Sequence, residues 1–577
     1  MPDIGKRPEN LADHSFDNVP SIERERSSFS RPYNHKTTMN EGLLYPVFCD
    51  EVLPGDSIDV SGTSFMRTLS PFVTPVFDDL ILDTHFFYVP NRILWKDWKK
   101  FLGEQENPGD NTSFTIPTLE FEGLDPALDF ENSIYDHFGL PASIFNDRAP
   151  DPVSSGAYFS WSSINAFPLR AYNLIWNEFF RDQNLQDSVP VSKFQRDYID
   201  EADPTSKITY KLLPRGKRHD YFTSCLPFPQ KGDAVEVPLL GKAVLKSNYF
   251  GAYPDDFAPM DSMIYDSSGV QKFDSSRRIT YTGSTPPLAD IIDAGSNFTD
   301  PVDPGTSWYG IDLRNLYADL TGITSYNVNQ IREAFQVQKY LETNARSGTR
   351  YNEVIYGQWG VNIPDSTIQR PEYLGGASSP LNISPVAQTT GDVGGVNSPQ
   401  GTLTSLGYSG SSNLRLSKSF VEHGFIIGLA SIRSNLTYQQ GLGREWTRST
   451  LLDYYSPTFA HLGEQAVLNK ELYYDFADGL NEDAFGYQER WAEYRYKPSQ
   501  ITASLRSTHS LSLDPYHFAQ DFGSRPTLSS DFIEEKPPVS RAISIPSEDH
   551  FILDMQFSIK STRLMPVYSV PGQIDHF

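Results

Sequence analysis

The hydrophobic and polar positions change period along this chain, and each period predicts a different element. At 551–560 the run "FILDMQFSIK" alternates, placing Phe551, Leu553, Met555, Phe557 and Ile559 on one face. A period of two marks a half-buried strand. "FIIGLASIRSNLTY" (425–438) is instead apolar at consecutive positions, which predicts a strand buried on both faces. Far upstream, "LLYPVFCDEVLPGDSIDV" (43–60) and "FDDLILDTHFFYV" (77–89) are rich in aromatic and aliphatic residues and bounded by Pro or Gly. Strands near both ends of the sequence must pair across a long separation. The pattern therefore predicts one sandwich or jelly roll with large excursions between its strands.

A helical period enters in three places. "LILDTHFFYVPNRILWKDWKKFLGE" (80–104) interleaves aromatic and basic residues as a nucleic-acid-binding segment does. At about 100° per residue, however, Leu94, Trp95, Trp98, Phe101 and Leu102 share one arc, with Lys96, Lys99 and Lys100 opposite. The spacing predicts a short helix that buries its tryptophans, opened by Asn91 and stopped by Gly103. "FPLRAYNLIWNEFFRDQ" (167–183) sets Leu169, Tyr172, Trp176 and Phe179 on one stripe behind Pro168, a good first-turn residue. "NVNQIREAFQVQKYLETNAR" (327–346) begins with Asn327 and Gln330 at capping-box spacing and places Ile331, Ala334, Phe335 and Leu341 on a shared face.

Between these elements lie polar stretches. Residues 1–40 carry no steady period and read as an extended arm, with 41–577 as a single domain. Within the arm, Arg24, Arg26, Arg31 and Lys36 surround Phe29 and Tyr33. That combination suits either contact with nucleic acid, through charge and stacking, or an arm lying along a neighbouring subunit. Residues 233–315 are rich in Asp, Gly, Ser and Pro, and 375–413 form a second long polar excursion, expected as a loop. Loops of that length in a compact chain are usually functional or ordered by a partner.

Composition narrows the function classes. The 577 residues include 73 acidic and 48 basic side chains, a net charge of −25. That argues against a surface devoted to DNA or anionic membrane and leaves room only for local basic patches, the densest being "PRGKRH" at 214–219. Only Cys49 and Cys225 are present, which gives no disulfide framework and fits synthesis in a reducing cytoplasm. No signal peptide is visible at the start, and apolar runs such as "GFIIGLA" (424–430) fall well short of a membrane span. Aromatic residues make up 13% of the chain, abundant rigid surface for cores or interfaces.

The search for a reaction centre ends without one. The eleven histidines are scattered, and no His-x-x-x-His, Cys-x-x-Cys, P-loop or Gly-x-Ser-x-Gly occurs, so no metal, cofactor or catalytic residue is assigned. Glu464 with Glu471, or Glu489 with Glu493, would be the carboxylate pairs of a glycosidase. With 73 acids in the chain, such spacings arise by chance.

Long blocks of the chain nevertheless carry a resemblance. "RSSFSRPYNHKTTMNEGLLYPVFCDEVLPGDSIDV", "FFYVPNRILWKDWKKFLGE", "FPLRAYNLIWNEFFRDQNL", "GKRHDYFTSCLPFPQKG" and "IREAFQVQKYLETNARSGTRYNEVI" occur in order, followed by "EHGFIIGLASIRSNLTYQQGLGREWTRST" and "FGYQERWAEYRYKPSQ". Together they resemble the major capsid protein of gokushoviruses, small single-stranded DNA phages of the Microviridae. The resemblance implies a mainly β, eight-stranded jelly roll with long inserted loops and a few short helices. It implies a structural subunit, not an enzyme, that assembles with itself into a T=1-type icosahedral shell around a circular single-stranded DNA genome. A small basic DNA-binding protein inside the particle is implied as a further partner. Such subunits are made in the bacterial cytoplasm and end in the virion. An insertion in these proteins is associated with protrusions at the threefold axes. By position that is 233–315 here, with Tyr249, Phe250 and Tyr253 expected at contacts between copies and the exposed element expected to meet a host receptor. The rival reading, from another class, is a glycan-binding or glycan-cleaving β-sandwich enzyme.

Overall fold

The computed structural model describes residues 25–120, 132–141, 163–191, 210–233, 235, 328–389, 400–477 and 479–568, with short strands at 244–247, 264–265, 271–272 and 316–319. Nine strands build two facing sheets. They are β1 (Ser27–Met39), β2 (Tyr45–Val52), β3 (Ser57–Thr68), β4 (Leu80–Pro90), β5 (Glu372–Pro380), β6 (Asn382–Ala387), β7 (Leu403–Ser419), β8 (Gly424–Ser434) and β9 (Phe551–Arg563). One sheet runs β1-β9-β3-β7-β6 and the other β5-β4-β8-β2, with every neighbouring pair antiparallel. Set the edge strand β6 aside and number the remaining eight in chain order. The sheets then read 1-8-3-6 and 2-7-4-5, the strand order of a jelly roll.

The alternating run at 551–560 forms β9, and its five inward side chains are at most 4% exposed. They meet the other sheet in a cluster of rings: Phe557 lies 5.0 Å from Phe48 and 6.1 Å from Phe86, and Phe48 lies 5.8 Å from Phe86, all edge-on. Fully burying side chains of this kind contributes about 1.5–3 kcal/mol each, so β9 contributes a large share of the core that joins the two sheets. β8 is buried at all eleven positions. Its Ile426, Ala430 and Ile432 face the space between the sheets, while Phe425, Ile427 and Leu429 join a second core on the outside.

That second core contains two of the three expected helical segments, with one rearrangement. The predicted helix at 91–103 is two single turns, α1 (Asn91–Leu94) and α2 (Trp98–Phe101), separated by Trp95 in extended conformation. The break lets both indoles reach the same ring, Phe167, at 6.3 Å and 5.8 Å. Tertiary packing here overrides helical continuity. The burial reading holds for Leu94, Trp95 and Trp98 and fails for Leu102, which is exposed. Gly103 stops the second turn at φ +99°. α3 (Phe167–Ile175) continues as a π-turn to Phe180 and buries Leu169, Tyr172 and Trp176 against the sheet.

Two polar stretches turn out to be strands. The region 375–413, expected as a loop, supplies most of β5, all of β6 and the first part of β7. Its inward residues include Ser405 and Ser409, at most 1% exposed, so the alternation of burial was hidden by small hydroxyl side chains. Ser379 and Ser409 hydrogen-bond each other at 2.6 Å. Residues 27–39, inside the expected arm, form β1 along β9, with Tyr33 stacked on Phe557 at 6.0 Å.

The chain divides into two compact units, 1–231 with 342–577, and 232–341. The second contains two small antiparallel pairs, Val244–Ser247 with Leu316–Asp319 and Ile264–Tyr265 with Gln271–Lys272. A helix, α4 (Val328–Ser347), and a shorter one, α5 (Tyr351–Trp359), follow. Of the residues expected to share a face of α4, Phe335 is exposed. Most of the 233–315 excursion, with Tyr249, Phe250 and Tyr253, lies outside the described residues.

Candidate assembly and nucleic-acid surfaces

β1 sits at the edge of its sheet, and alternation puts Lys36 on one face and Arg31 on the other, with Arg26 just before the strand. Arg31 reaches across to the second sheet, where its two terminal nitrogens donate to the carboxylate of Asp50 at 3.0 and 2.6 Å, and it also bonds Ser561. Arg26 donates to the carbonyl of Gly55 at 2.9 Å and to Ser57 at 2.8 Å. Lys36 pairs with Asp554 on β9 at 2.5 Å, and both side chains are largely in solvent. Such an exposed pair is worth little and exchanges partners readily. Arg24 lies outside the described residues. The strand and the residue just before it thus hold three of these four cations, each already matched by a local acceptor.

A denser polar cluster lies on the outer face of the second sheet. Asp83 of β4 is 2% exposed, and its Oδ2 receives Arg215 at 2.6 Å and Arg433 at 2.7 Å, while Ser378 donates to Oδ1. Burial alone would raise the Asp83 pKa, but Arg215, Ser378 and Arg433 together hold it below the ordinary carboxylate value. Burial, reinforced by Arg215, pushes the neighbouring His85 down to about 4, so it is neutral at pH 7. Glu535 is buried nearby, and burial raises its pKa. It accepts a hydrogen bond from the backbone of Ser434 at 3.1 Å.

The carboxylates considered for glycosidic chemistry are all engaged. Glu464 pairs with Arg346, and Glu489 with Arg495. Glu471 accepts from Tyr221 at 2.8 Å and Arg444 at 3.4 Å, and Glu493 accepts from Arg448 at 3.4 Å and Gln465 at 2.9 Å. Burial raises the pKa of Glu464 and of Glu471. A surface pocket of about 240 Å³ between β4 and the end of β7 is likewise crossed by its own ion pairs, Arg92 with Glu422 and Lys418 with Glu372.

Large apolar side chains stand in solvent along 444–496. Two single-turn segments, Arg444–Trp446 and Leu451–Asp453, present Trp446 at 78% and Leu451 at 79% exposure. The second turn is capped by Asp453, whose carboxylate accepts from the backbone of Ser449 at 2.9 Å and of Thr450 at 2.6 Å, bonds that hold its pKa down to about 2. Behind the turns, the Arg448 guanidinium lies 4.3 Å from the Tyr494 ring centre and 5.6 Å from that of Tyr454. Tyr455 packs edge-on against buried Trp491 at 5.7 Å. Trp491 is at φ +70° and anchors the group by donating from Nε1 to the Phe459 carbonyl at 3.1 Å. A second exposed aromatic group, Tyr351, Tyr356 and Trp359, lies on α5.

None of these surface aromatics stood out in the sequence. "EWTRSTLLDYY" and "RWAEYRYK" have neither the period of a strand nor that of a helix. Such aperiodic aromatic density was the available signal.

Comparison with known proteins matches residues 17–573 to the family described as capsid protein (F protein). The "Capsid protein VP1" of Chlamydia phage 1 is 38% identical over 98% of this chain and 99% of its own length. The proteins of the same name from Bdellovibrio phage phiMH2K and Spiroplasma virus 4 are 39% and 31% identical, each over 98% of both chains.

Proposed function

We propose a function from one premise: the chain belongs to the capsid protein (F protein) family. It is a structural protein of the virion, a major capsid subunit of a small single-stranded DNA phage that associates with its own copies around a genome. It is not an enzyme. The observation that carries this reading is the jelly-roll strand order of the two sheets, held by a core spanning both.

The finer reading is a T=1-type icosahedral shell enclosing circular single-stranded DNA, assembled in the cytoplasm of a bacterial host. Charge supports an additional internal partner: a subunit of net charge −25 repels a polyanion. A small basic protein bound to the genome supplies the missing cations, with Lys36 of β1 and Arg26 just before it as minor contributors. The acidic, turn-rich segment 233–315 projects outward, where copies of Tyr249, Phe250 and Tyr253 meet around the threefold axes and contact a host receptor. Its inclusion in a separate compact unit, 232–341, supports an insertion that the barrel does without.

Electron microscopy of purified particles tests the whole reading. Icosahedral shells of one size are expected, with density for 233–315 on the outer surface. Subunit-sized material, or that segment beside the genome, refutes it. Deleting 233–315 is expected to leave a folded barrel and abolish the protrusions.

A further inference from the structure

The exposed cluster at 446–494 has the dimensions, composition and charge of a contact with another copy of this chain. We infer that Trp446, Leu451, Leu452, Tyr454, Tyr455 and Tyr494 form one patch that a neighbouring subunit covers in the shell, an assignment resting on the capsid reading above.

Four of the six residues are linked directly, and Trp446 and Leu451 belong to the two turns that precede the tyrosines in the chain. The Arg448 guanidinium sits between the Tyr454 and Tyr494 rings, Tyr455 lies 6.3 Å from Tyr494, and Arg490 donates to the Leu452 carbonyl at 3.4 Å. The four aromatic residues are between 51% and 78% exposed. At about 150–250 Å² per aromatic side chain, they offer on the order of 400–500 Å², and the two leucines add to it. Monomers rarely leave more than a few hundred Å² of contiguous apolar surface open. A stable interface takes roughly 800 Å² from each partner. The composition, Trp and Tyr around an Arg, is that of binding hot spots. The rings are also pre-set by the capped turn at 450–453 and by buried Trp491, so little freedom is lost on contact.

Charge selects the occupant. Two copies at −25 repel each other overall, so they meet best where charge is balanced locally. Here Arg448 is paired with Glu493 and Arg495 with Glu489, and Arg490 is spent on a carbonyl. The same pairing disfavours nucleic acid, because the Arg448 and Arg495 guanidinium groups already face carboxylates and a phosphate would meet Glu493 and Glu489.

Hydroxyl-radical footprinting, read by mass spectrometry, tests the assignment on genome-filled particles, empty particles and subunits released from them. Trp446, Leu451 and Tyr454 are expected to oxidise at least about fivefold more slowly in both kinds of particle than in free subunits. Equal rates in particles and subunits overturn the inference, and protection confined to filled particles overturns it in favour of DNA. The double variant Leu451→Asp with Tyr454→Asp alters only exposed side chains. It is expected to give subunits of unchanged melting temperature that fail to close shells, and normal shells refute the inference. Size analysis of the wild type separates the two levels: shells with an unprotected patch sink this inference alone, whereas a chain that forms no shell sinks the capsid reading with it.

Discussion

Replacing Asp83 by Asn removes one negative charge from between two guanidinium groups and changes almost nothing else. The amide has the shape of the carboxylate, so packing is preserved and the electrostatic part is isolated. Asp83 is 2% exposed, Arg433 is 6% exposed, and both Arg215 and Arg433 approach the same carboxylate oxygen within 2.7 Å. Without the carboxylate, two cations face each other in a poorly solvated site beside neutral His85. Breaking a buried ion cluster by removing one partner costs about 3–5 kcal/mol, a large part of the roughly 5–15 kcal/mol that holds a domain folded. Urea unfolding at fixed protein concentration, followed by circular dichroism, should show a lower midpoint with an unchanged slope. The triple variant Asp83→Leu, Arg215→Met, Arg433→Met should recover most of the loss, because apolar replacement of a whole buried cluster is often neutral or better. A loss below about 1 kcal/mol for Asp83→Asn would refute the account, as would a triple variant worse than the single one.

Trp98→Ala should cost about 3–5 kcal/mol of unfolding free energy, since its ring packs on Phe101, Phe167 and His423. Lys99→Ala should stay within about 0.5 kcal/mol in the same assay, because its pair with Glu104 at 3.6 Å is exposed. Gly42→Ala and Gly103→Ala both place a side chain at positive φ, but only at Gly42 would the new carbon fall 1.9 Å from a backbone oxygen, that of Glu535. Gly42→Ala should therefore lower the melting temperature far more than Gly103→Ala. The hydrogen bond that His550 donates to the Glu41 carboxylate, at 2.7 Å, raises the pKa of His550 above its unfolded value. That contribution is complete below about pH 6.5 and is lost as pH rises through the folded pKa. His85, depressed to about 4, acts oppositely, contributing above about pH 6.5 and losing ground as pH falls toward 4. Melting curves across pH 4–8 should show Glu41→Gln abolishing the alkaline-side loss while leaving the acid-side loss intact.

The strands that face apolar neighbours were legible from residue type alone. Phe551 to Ile559 alternate in hydropathy because their inward positions are large and apolar, and β8 reads as doubly buried because both of its faces are covered. β7 was not legible, since its inward positions include the small hydroxyl side chains of Ser405 and Ser409. β1 was hidden because it lies at a sheet edge with most of its residues in partial contact with solvent. The helix at 91–103 was legible as a burial pattern but not as two turns, because the break at Trp95 follows from Phe167, whose position no local spacing reveals. At the surface, Arg31 read as a free cation because its partner Asp50 belongs to a strand of the other sheet.

The pairing of β9 between β1 and β3 also makes the barrel a test of chain integrity. Ser28 and Thr562 lie 534 positions apart in sequence and side by side in the sheet. During synthesis, β1 and β3 emerge early and wait, unpaired along the edges that β9 will fill, until residues 69–550 have been made. A product truncated anywhere before Phe551 keeps two open strand edges and lacks the rings that join the sheets. Such a fragment is a substrate for chaperones and proteases rather than a building block. The last strand of the barrel thus acts as a proofreading step, admitting to assembly only chains translated through that strand.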